Sequence, residues 1–372
     1  MAGIPKKIET WQMVQPTTYR KDENGKLVVD TPGKLERTSI PVPELGKDDV
    51  LVEIAGCGVC HTDLGYFYDG VPTVNKPPLT LGHEISGTVV AGREDLIGKN
   101  VIIPAVMPCN NCSICEQGRG NRCLAQKMPG NSLGIYGGFS SHIPVPADDL
   151  CVIDELKFPL SHYAVVADAV TTPYQAAMRG ELKENDLVVV VGVCGGVGGY
   201  MAQVAKALGA QVVVGIDINQ AKLERALKYG ADYVINSKGK DIKEIKAEFG
   251  EICKQAGVPN NVGWKIFECT GVTAGQEIAL ELISFLSRLV VVGFTTRKIS
   301  FMLSKLMAFD AEIVGTWGCL PKYYRNVLEM VQDGRIQIEP FLETKPMSQI
   351  EMVFEQQHKG LFDKRQVLEP DF

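Results

Sequence analysis

The sequence predicts an α/β protein with two domains, one rich in β-strands and one built on a doubly wound parallel sheet. The chain has 372 residues, which is too long for one ordinary core and suits two domains. From Asp186 onward, buried strand-like runs alternate with helical patterns, as in a parallel sheet with helices on both faces. Before that point, segments such as "DDVLVEIAGCG" and "GKNVIIPAV" indicate strands separated by turn residues.

Composition limits the classes of function. Hydrophobic residues make up 45% of the chain and charged residues 22%, which is typical of a globular protein. The net charge of −6 argues against a nucleic acid or an anionic membrane surface as partner. No apolar run could span a bilayer, and the first residues do not resemble a signal peptide. We therefore expect a cytoplasmic protein with neither a nucleic-acid nor a membrane partner, in which 11 cysteines, an odd number, do not form a disulfide framework.

Four of these cysteines form a cluster with the spacing C-x2-C-x2-C-x7-C. Such spacing lets a loop present four thiolates tetrahedrally to one zinc ion and close its coordination, which predicts a structural site. Gly118 and Gly120 supply tight bends in this loop. Two local disulfides or an iron–sulfur cluster are the alternative interpretations. The four candidate ligands are Cys109, Cys112, Cys115 and Cys123.

A second, open metal site is predicted from three separate segments, "GCGVCHTDLG", "LGHEISG" and "VVADAVTTPYQAA". A catalytic zinc needs three protein ligands and one exchangeable position. Cys57 and His61, beside the first ligand, are interpreted as a packing residue and as a support for the ligands. The predicted ligands are Cys60, His83 and Asp168, with Glu84 as a neighbouring carboxylate.

The segment "DLVVVVGVCGGVGGYMAQVAKALGAQVVVGID" predicts a strand, a glycine-rich turn, a helix and a second strand. The turn reads G-x-x-G-G-x-G, one residue longer at its front than the usual dinucleotide-binding pattern. Glycines let the backbone approach a pyrophosphate at the helix N-terminus. The predicted cofactor-binding residues of this turn are Gly192, Gly195, Gly196, Val197 and Gly198.

The second strand of this segment ends in Asp217, from where a carboxylate can accept hydrogen bonds from ribose hydroxyls. Because a 2′-phosphate would meet like charge there, the sequence favours NAD over NADP, although such an Asp is often only a helix cap. "ADYVIN", "WKIFECTG" and "RLVVVGF" predict further strands, with helices over "KDIKEIKAEFGEICKQAG" and "GQEIALELISFL". Gly271 and Gly293 fall where a nicotinamide ring would lie, or are ordinary turn glycines.

Together with "DKRQVLEPD" near the end, these motifs resemble the zinc-containing medium-chain dehydrogenase/reductase family, the alcohol dehydrogenases. The resemblance implies a GroES-like catalytic domain over 1–165 and 321–372 and a Rossmann domain for NAD over 166–320. By resemblance, Cys60, His83 and Asp168 match the catalytic zinc ligands, and Glu84 can exchange onto the metal. Thr62 matches the hydroxyl beside the substrate oxygen, and Arg365 stands where the family places a pyrophosphate-binding arginine.

The resemblance further implies an NAD-dependent oxidation of a secondary alcohol to a ketone, two zinc ions per chain and a homo-oligomer, dimer or tetramer, formed through the cofactor domains. Many relatives end a proton relay in a His five residues after the cysteine ligand, where this chain has Gly65. This departure predicts weak turnover of small alcohols and raises the hypothesis of hydride addition to the β-carbon of conjugated ketones.

The N-terminal segment is long, and the chain as a whole resembles family members that act on CoA thioesters. Both observations suggest that the substrate is a cyclic secondary alcohol carried as a CoA thioester in anaerobic aromatic degradation. Cationic side chains would then hold the CoA phosphates, or are ordinary surface charges. A general secondary-alcohol or polyol dehydrogenase is the alternative within the family, and a non-catalytic zinc protein or redox sensor is the alternative of another class. The candidate cations are Arg297, Lys298, Lys322 and Arg325.

Overall fold

The computed structural model describes residues 5–23 and 26–372, which divide into two compact units. Unit 1 takes the described residues up to Ala169, with Gly318–Leu328 and Ile338–Phe372, and unit 2 takes Val170–Trp317 with Glu329–Gln337. The domain bounds predicted from the sequence differ from these units at residues 166–169 and 318–320, which lie in unit 1, and at residues 329–337, which lie in unit 2. The side chain of Gln203 explains the last difference, because its Oε1 accepts the N–H of Gln337 at 2.8 Å and its Nε2 donates to the carbonyl of the same residue at 3.3 Å.

The strands are numbered in chain order. They are β1 (Lys7–Gln15), β2 (Thr18–Lys21), β3 (Leu27–Thr31), β4 (Lys34–Pro41), β5 (Asp49–Gly58), β6 (Leu79–Thr80), β7 (Glu84–Gly92), β8 (Asn100–Ile103), β9 (His142–Pro146), β10 (Cys151–Ile153), β11 (Leu187–Val191), β12 (Val212–Asp217), β13 (Tyr233–Asn236), β14 (Trp264–Glu268), β15 (Arg288–Val291), β16 (Glu312–Gly315), β17 (Leu342–Pro346) and β18 (Arg365–Glu369).

The α-helices are numbered in the same way. They are α1 (His61–Tyr68), α2 (Ser113–Glu116), α3 (Thr171–Arg179), α4 (Gly198–Ala207), α5 (Gln220–Lys228), α6 (Ile242–Ala256), α7 (Thr273–Glu281), α8 (Ser304–Phe309), α9 (Tyr324–Gln332) and α10 (Ile350–His358). Among the described residues, none of these helices is both long and apolar enough to cross a lipid bilayer.

Unit 1 is built around a seven-stranded sheet in the order β10-β8-β7-β5-β18-β17, with β9 also paired to β5. Its pairings are antiparallel except for the parallel pair β17–β18. Unit 1 also contains a three-stranded sheet in the order β4-β1-β6 and an antiparallel pair of strands, β2 and β3. Apolar residues of β5 such as Val50, Val52 and Ile54 pack with Phe139 and Phe354 in one core. The strands of this sheet confirm the β-rich prediction for this part of the chain.

Two registers in this sheet place the ends of strands side by side. In the antiparallel pair β5–β7, Gly58 lies opposite Glu84, so the residues after β5 and those before β7 meet at one edge. In the pair β18–β5, Leu368 lies opposite Cys57 and the N–H of Val59 donates to the carbonyl of Gln366 at 2.9 Å. The C-terminal strand therefore completes the part of the sheet from which α1 begins.

Unit 2 is a six-stranded parallel sheet in the order β13-β12-β11-β14-β15-β16. The order reverses between β11 and β14, which makes the carboxyl ends of these two strands the switch point of a doubly wound sheet. The residues of β11 are all buried, as expected for a central parallel strand. The strands and helices that the sequence predicts here are present, and the edge strand β16 and the helices α3, α5 and α8 are additions that it did not predict.

Candidate active site and metal centres

Cys60 follows β5 and is the N-cap residue of α1, where its side chain is only 7% exposed. Its backbone N–H donates to Oδ2 of Asp63 at 3.0 Å, which closes a capping box across the first turn of the helix. The cap fixes the direction in which the Cys60 sulfur points. Cys60 is thus held rigidly between a buried strand and a capped helix.

His83 immediately precedes β7 and is 1% exposed. Its Nδ1 lies 3.2 Å from Oδ1 of Asp63, and that oxygen also accepts the N–H of Gly82 at 3.0 Å. Because Nδ1 is engaged with a carboxylate, Nε2 is the nitrogen left for a ligand. The sequence did not single out Asp63, although its place three residues after Cys60 at a helix N-terminus is the signal that could have found it.

Asp168 ends a 3-10 helical segment, Leu160–Ala167, which is anchored on the sheet of unit 1. The hydroxyl of Ser86, in β7, donates to the carbonyl of Leu160 at 2.7 Å. Most of this segment is buried, and it carries Asp168 to the edge where β5 ends and β7 begins. A residue more than eighty positions from His83 therefore meets it in space.

The donor atoms of Cys60, His83, Glu84 and Asp168 all lie within 4.8 Å of one another. Oδ2 of Asp168 lies 3.5 Å from Nε2 of His83 and 3.8 Å from the Cys60 sulfur. Ligands bound tetrahedrally to zinc at about 2.0–2.3 Å stand roughly 3.3–3.8 Å apart, so a thiolate, an imidazole and a carboxylate fit the ion here. Three protein ligands would leave one position of a tetrahedral ion for a substrate oxygen.

The electrostatics of the cluster also favour a cation. Burial acts against a charged imidazole, but Asp63 and Asp168 and the Cys60 sulfur outweigh it and raise the pKa of His83 well above its usual value. The surroundings of the ring therefore favour positive charge at this point. A metal ion between the same donors would be stabilised by the same electrostatic attraction.

Glu84 is fully buried and faces Arg365, whose Nη2 lies 2.9 Å from Oε1 of the carboxylate. The two groups form an ion pair, but their geometry does not meet the criteria for a hydrogen bond. Neither carboxylate oxygen of Glu84 has a hydrogen-bond partner within the described residues. Burial raises the pKa of Glu84 to about 7, although Arg365 opposes that shift. Arg365, itself buried, also donates to the carbonyl of Val59 at 2.9 Å. In this structure the guanidinium of Arg365 contacts Glu84. The contact of Arg365 with a pyrophosphate, which the family resemblance implies, stays a prediction.

The remaining residues around Cys60 differ in exposure. The hydroxyl oxygen of Thr62 lies 3.7 Å from the Cys60 sulfur and is half-buried, as a contact with a bound substrate requires. Cys57 is fully buried, and burial raises the pKa of its thiol, which agrees with a packing role. His61, which we expected to support the ligands, is exposed at the start of α1, and Asp63 provides that support instead. Gly65 lies in the middle of α1, where a Cβ would lie 3.6 Å from Cγ2 of Val71.

The four-cysteine loop also brings its sulfurs together. Neighbouring sulfurs are separated by 3.5 Å between Cys112 and Cys115, 3.8 Å between Cys112 and Cys123, and 3.4 Å between Cys123 and Cys109. A hydrogen bond with the Cys115 backbone lowers the pKa of the Cys112 thiol to about 7, whereas burial and the Cys112 side chain raise the pKa of the Cys115 thiol to about 11. All 11 cysteines of the chain, each within the described residues, are free thiols. The sulfur separations suit one tetrahedral ion.

In unit 2, the glycine-rich turn joins β11 to α4 at the switch point. Gly192 has a φ of +88°, and a Cβ there would lie 2.6 Å from Cγ2 of Thr270. A Cβ at Gly198 would lie 2.0 Å from the carbonyl oxygen of Gly192, so both positions require glycine. Gly195 and Gly196 are exposed and Val197 is half-buried, which leaves the turn open above the N-terminus of α4. That is the geometry in which backbone amides bind phosphate.

Asp217 ends β12 next to this turn. Its Oδ2 accepts the N–H of Cys194, the extra residue of the turn, at 2.9 Å. Its Oδ1 accepts the N–H groups of Ile218 and Asn219 at 2.7 and 3.2 Å. Asp217 is half-buried and its carboxylate is tied to the turn, and its contact with ribose hydroxyls stays a prediction.

Comparison with known proteins agrees with both parts of the structure. Residues 46–155 match the family model of the alcohol dehydrogenase GroES-like domain, and residues 196–333 match that of zinc-binding dehydrogenases. An alcohol dehydrogenase of Geobacillus stearothermophilus is 30% identical over 340 residues, which cover 90% of this chain and 95% of that relative. The chain belongs to the zinc-containing medium-chain alcohol dehydrogenases.

Further relatives of this alcohol dehydrogenase family extend the likeness. A sorbitol dehydrogenase of Bombyx mori is 27% identical over 326 residues, 86% of this chain and 91% of that protein. The crystal structure of galactitol-1-phosphate dehydrogenase from Escherichia coli shares the fold, with a TM-score of 0.82 at 23% identity over 97% of this chain and 100% of that one. As a member of the family, the chain is an oxidoreductase acting on CH–OH groups with zinc and a nicotinamide cofactor.

Proposed function

We propose that this dehydrogenase oxidises a secondary alcohol to a ketone by transferring hydride to NAD. The observation that carries the proposal is the convergence of a thiol, an imidazole and a carboxylate from three segments, with contacts of 3.5 and 3.8 Å. When bound, the zinc ion supplies Lewis acidity that stabilises negative charge on the substrate oxygen. The sequence motif of Thr62, together with its place 3.7 Å from the Cys60 sulfur, supports a hydrogen bond from its hydroxyl to that oxygen.

The cofactor we propose is NAD rather than NADP, and the metal content is two zinc ions per chain. Asp217 supports the first choice because its charge disfavours a 2′-phosphate beside the adenosine ribose. The two clusters, one of four sulfurs and one of mixed donors, support the second. We keep Glu84 as a carboxylate that can exchange onto the catalytic ion, since its donor atom lies within the same 4.8 Å group.

For the substrate, we propose a cyclic hydroxyacyl-CoA, namely 6-hydroxycyclohex-1-ene-1-carbonyl-CoA, oxidised to its 6-oxo product in anaerobic aromatic degradation. The long N-terminal segment supports a specialised substrate, because its hairpin reaches α1, the helix that carries Thr62. The hydroxyl of Tyr19 donates to the carbonyl of Tyr68, the last residue of α1, at 2.6 Å. Among the candidate partners of the CoA phosphates, Arg297, Lys298 and Lys322 are exposed, whereas Arg325 is already paired with Asp154 at 2.6 Å.

A secondary-alcohol or polyol dehydrogenase is the second candidate function. The named relatives favour it, since they include alcohol, sorbitol and D-arabinose dehydrogenases. Such an enzyme would accept small alcohols and ignore CoA thioesters. A zinc protein without turnover, or a redox sensor, would bind metal and form no NADH with any of them.

We further propose a homo-oligomer formed through unit 2 in the reducing cytosol. The edge strand β16 pairs only with β15 among the described strands, and Met302, Leu303 and Met307 expose apolar side chains near it in the chain. An edge strand with nearby apolar surface favours pairing with another chain. The free state of all 11 cysteines supports the reducing compartment.

One panel of assays tests these proposals. NADH formation would be followed with purified protein and alicyclic hydroxyacyl-CoA thioesters, their free acids, simple secondary alcohols and sorbitol, each with NAD and with NADP. Metal analysis of the same preparation gives the zinc content, and light scattering gives the oligomeric state. Turnover of the thioesters alone supports the proposed substrate, turnover of free alcohols supports the second candidate, and no turnover with one zinc per chain contradicts both.

A further inference from the structure

Glu268 is a buried carboxylate at the carboxyl end of β14, in the strand next to the switch point, and it is 1% exposed. Its Oε1 accepts the backbone N–H of Thr270 at 2.7 Å and that of Gly271 at 3.1 Å. The hydroxyl of Thr270 donates to the same oxygen. One carboxylate oxygen thus gathers three donors and fixes the turn between β14 and α7.

This turn touches the loops that follow the two neighbouring strands. A Cβ at Gly192, after β11, would lie 2.6 Å from Cγ2 of Thr270, and one at Gly293, after β15, would lie 2.1 Å from the backbone nitrogen of Gly271. The N–H groups of Val292 and Gly293 both donate to the carbonyl of Glu268 at 2.9 Å. The loops after β11, β14 and β15 therefore pack as one unit around Glu268.

The second oxygen of this carboxylate is not explained by packing. Oε2 is buried and has no hydrogen-bond partner within the described residues, and it faces the Cα of Gly293, where a Cβ would lie 3.0 Å away. Burying an unpaired charged oxygen costs free energy that an apolar residue would not cost. Stability alone therefore does not account for a carboxylate at this position.

We propose that Glu268 is a positioning residue for the nicotinamide half of the bound dinucleotide. The inference rests on the proposed function, which puts the nicotinamide ring over Gly271 and Gly293 at this edge of the sheet. By holding the turn after β14 with one oxygen and abutting the loop after β15 with the other, Glu268 sets the distance between the two surfaces that receive the ring. Among the described residues, the hydrogen bonds of Glu268 involve neither the pyrophosphate turn at Gly195 and Gly196 nor the carboxylate of Asp217.

The test compares two ligands that differ in the nicotinamide half. NADH and ADP-ribose would be titrated against the wild-type zinc-loaded protein and Glu268→Ala, with dissociation constants from NADH fluorescence and from calorimetry. We expect Glu268→Ala to weaken NADH binding at least tenfold and ADP-ribose binding by less than threefold, with zinc content unchanged. A merely structural role would weaken both ligands alike.

Ser287→Ala serves as the matched control. Ser287 is equally buried and joins two hydrogen bonds of a turn, with the N–H and carbonyl of Ser284 at 3.0 and 2.9 Å, but it precedes β15 at the opposite edge of the sheet. We expect it to lower the melting temperature and to leave the NADH to ADP-ribose ratio at the wild-type value. The ratio in Glu268→Ala, not the melting temperature, is therefore the readout.

If Glu268→Ala fails to fold, Thr270→Val gives the second variant, because it keeps the shape of Thr270 and removes the hydroxyl that donates to Glu268. We expect a threefold or greater selective loss for NADH. Wild-type binding of NADH together with an unchanged ratio in the folded variants would overturn the inference and leave the proposed function standing. Wild-type protein that binds neither NADH nor ADP-ribose would overturn both.

Discussion

Oδ1 of Asp63 lies 3.2 Å from Nδ1 of His83, while Oδ2 of the same carboxylate accepts the N–H of Cys60 at 3.0 Å. One fully buried side chain therefore orients two of the candidate zinc ligands. Its position on α1 depends on the capping box, so the helix start and the metal site are built from the same contacts. Loss of this carboxylate should act on the metal before it acts on the fold.

We expect Asp63→Asn to weaken zinc binding at the mixed-donor site by about 10–100-fold, because supporting partners of metal-bound histidines have effects of this size. Zinc per chain would be measured after dialysis against increasing concentrations of a chelator. The four-sulfur site should keep its zinc in the same samples. Asp69→Asn is the control, since Asp69 caps the other end of α1 and is exposed. Equal zinc retention by wild type and Asp63→Asn would contradict the role of Asp63.

The four-cysteine loop should hold one ion that the active site does not need directly. We expect Cys112→Ser to lower the zinc content from two ions per chain to one and to make the loop around residues 109–123 sensitive to protease, because α2 has only four residues and no buried side chain. Metal analysis and limited proteolysis measure the two effects. Cys253→Ala, a buried thiol of unit 2 outside both clusters, should keep two zinc ions. A variant that retains two would show that the loop is not the second site.

The buried pair of Glu84 and Arg365 predicts a large stability effect. At pH 8, above the pKa of about 7 that Glu84 has beside Arg365, Arg365→Met leaves this carboxylate without its countercharge in a fully buried position, which typically costs about 3–5 kcal/mol in the free energy of unfolding. Urea unfolding measures this cost. Adding Glu84→Gln to the same chain removes the stranded charge and should recover much of the loss. If the double variant is no more stable than Arg365→Met, the pair is not the source of the effect.

Asp217 predicts the choice of cofactor. We expect Asp217→Asn to raise the NADPH to NADH affinity ratio at least about tenfold, equivalent to roughly 1.4 kcal/mol, because it removes the like charge but keeps an acceptor for the N–H of Cys194. Fluorescence titration with both reduced cofactors measures the ratio. Asp232→Asn removes a charge of the same sign in unit 2, where it pairs with Lys206 at 3.1 Å, and should leave the ratio unchanged. A ratio that moves equally in both variants would point to net charge rather than to Asp217.

The sequence predicted most of the sheet of unit 2 because its central strands β11, β12 and β14 are almost entirely buried and contain apolar runs. The strands β11, β12, β13, β14 and β15 all fall within the segments that the pattern indicates. The edge strand β16 was missed because its positions are only half-buried or exposed, so it carries no comparable signal. The place of residues 329–337 was also missed, because it depends on the contact between Gln203 and Gln337, which lie far apart in the chain.

In the candidate site, too, the sequence predicted some residues and missed others. Cys60, His83, Glu84 and Asp168 were predictable because their residue types suit a metal and because the motifs around them resemble a known family. The buried residues behind the site were missed. Asp63 stands at a helix-capping position that the sequence could have shown, whereas Glu268 acts through backbone N–H groups that carry no sequence pattern. The partner of Arg365 in this structure is Glu84, a contact made by the register of β18 on β5 that no local motif records.

Gly65 allows a direct test of the missing proton relay. A Cβ there would meet Cγ2 of Val71 at 3.6 Å, an ordinary van der Waals distance, so a β-carbon is accommodated at this position of α1. We expect Gly65→His to fold with a melting temperature close to that of the wild type and to raise turnover of simple secondary alcohols, because a histidine five residues after the cysteine ligand provides a route for the proton that leaves the substrate oxygen.

With a conjugated ketone and NADH, the same variant should shift the product ratio. Hydride addition to the carbonyl carbon needs a proton delivered to oxygen, whereas addition to the β-carbon gives an enolate that is protonated at carbon. Without a relay at position 65, the wild type should therefore favour reduction of the alkene, and Gly65→His should favour the alcohol. Gly65→Ala fills part of the space without a titratable group and separates shape from proton transfer. An identical ratio of alcohol to saturated ketone in all three proteins would show that the relay does not control the outcome.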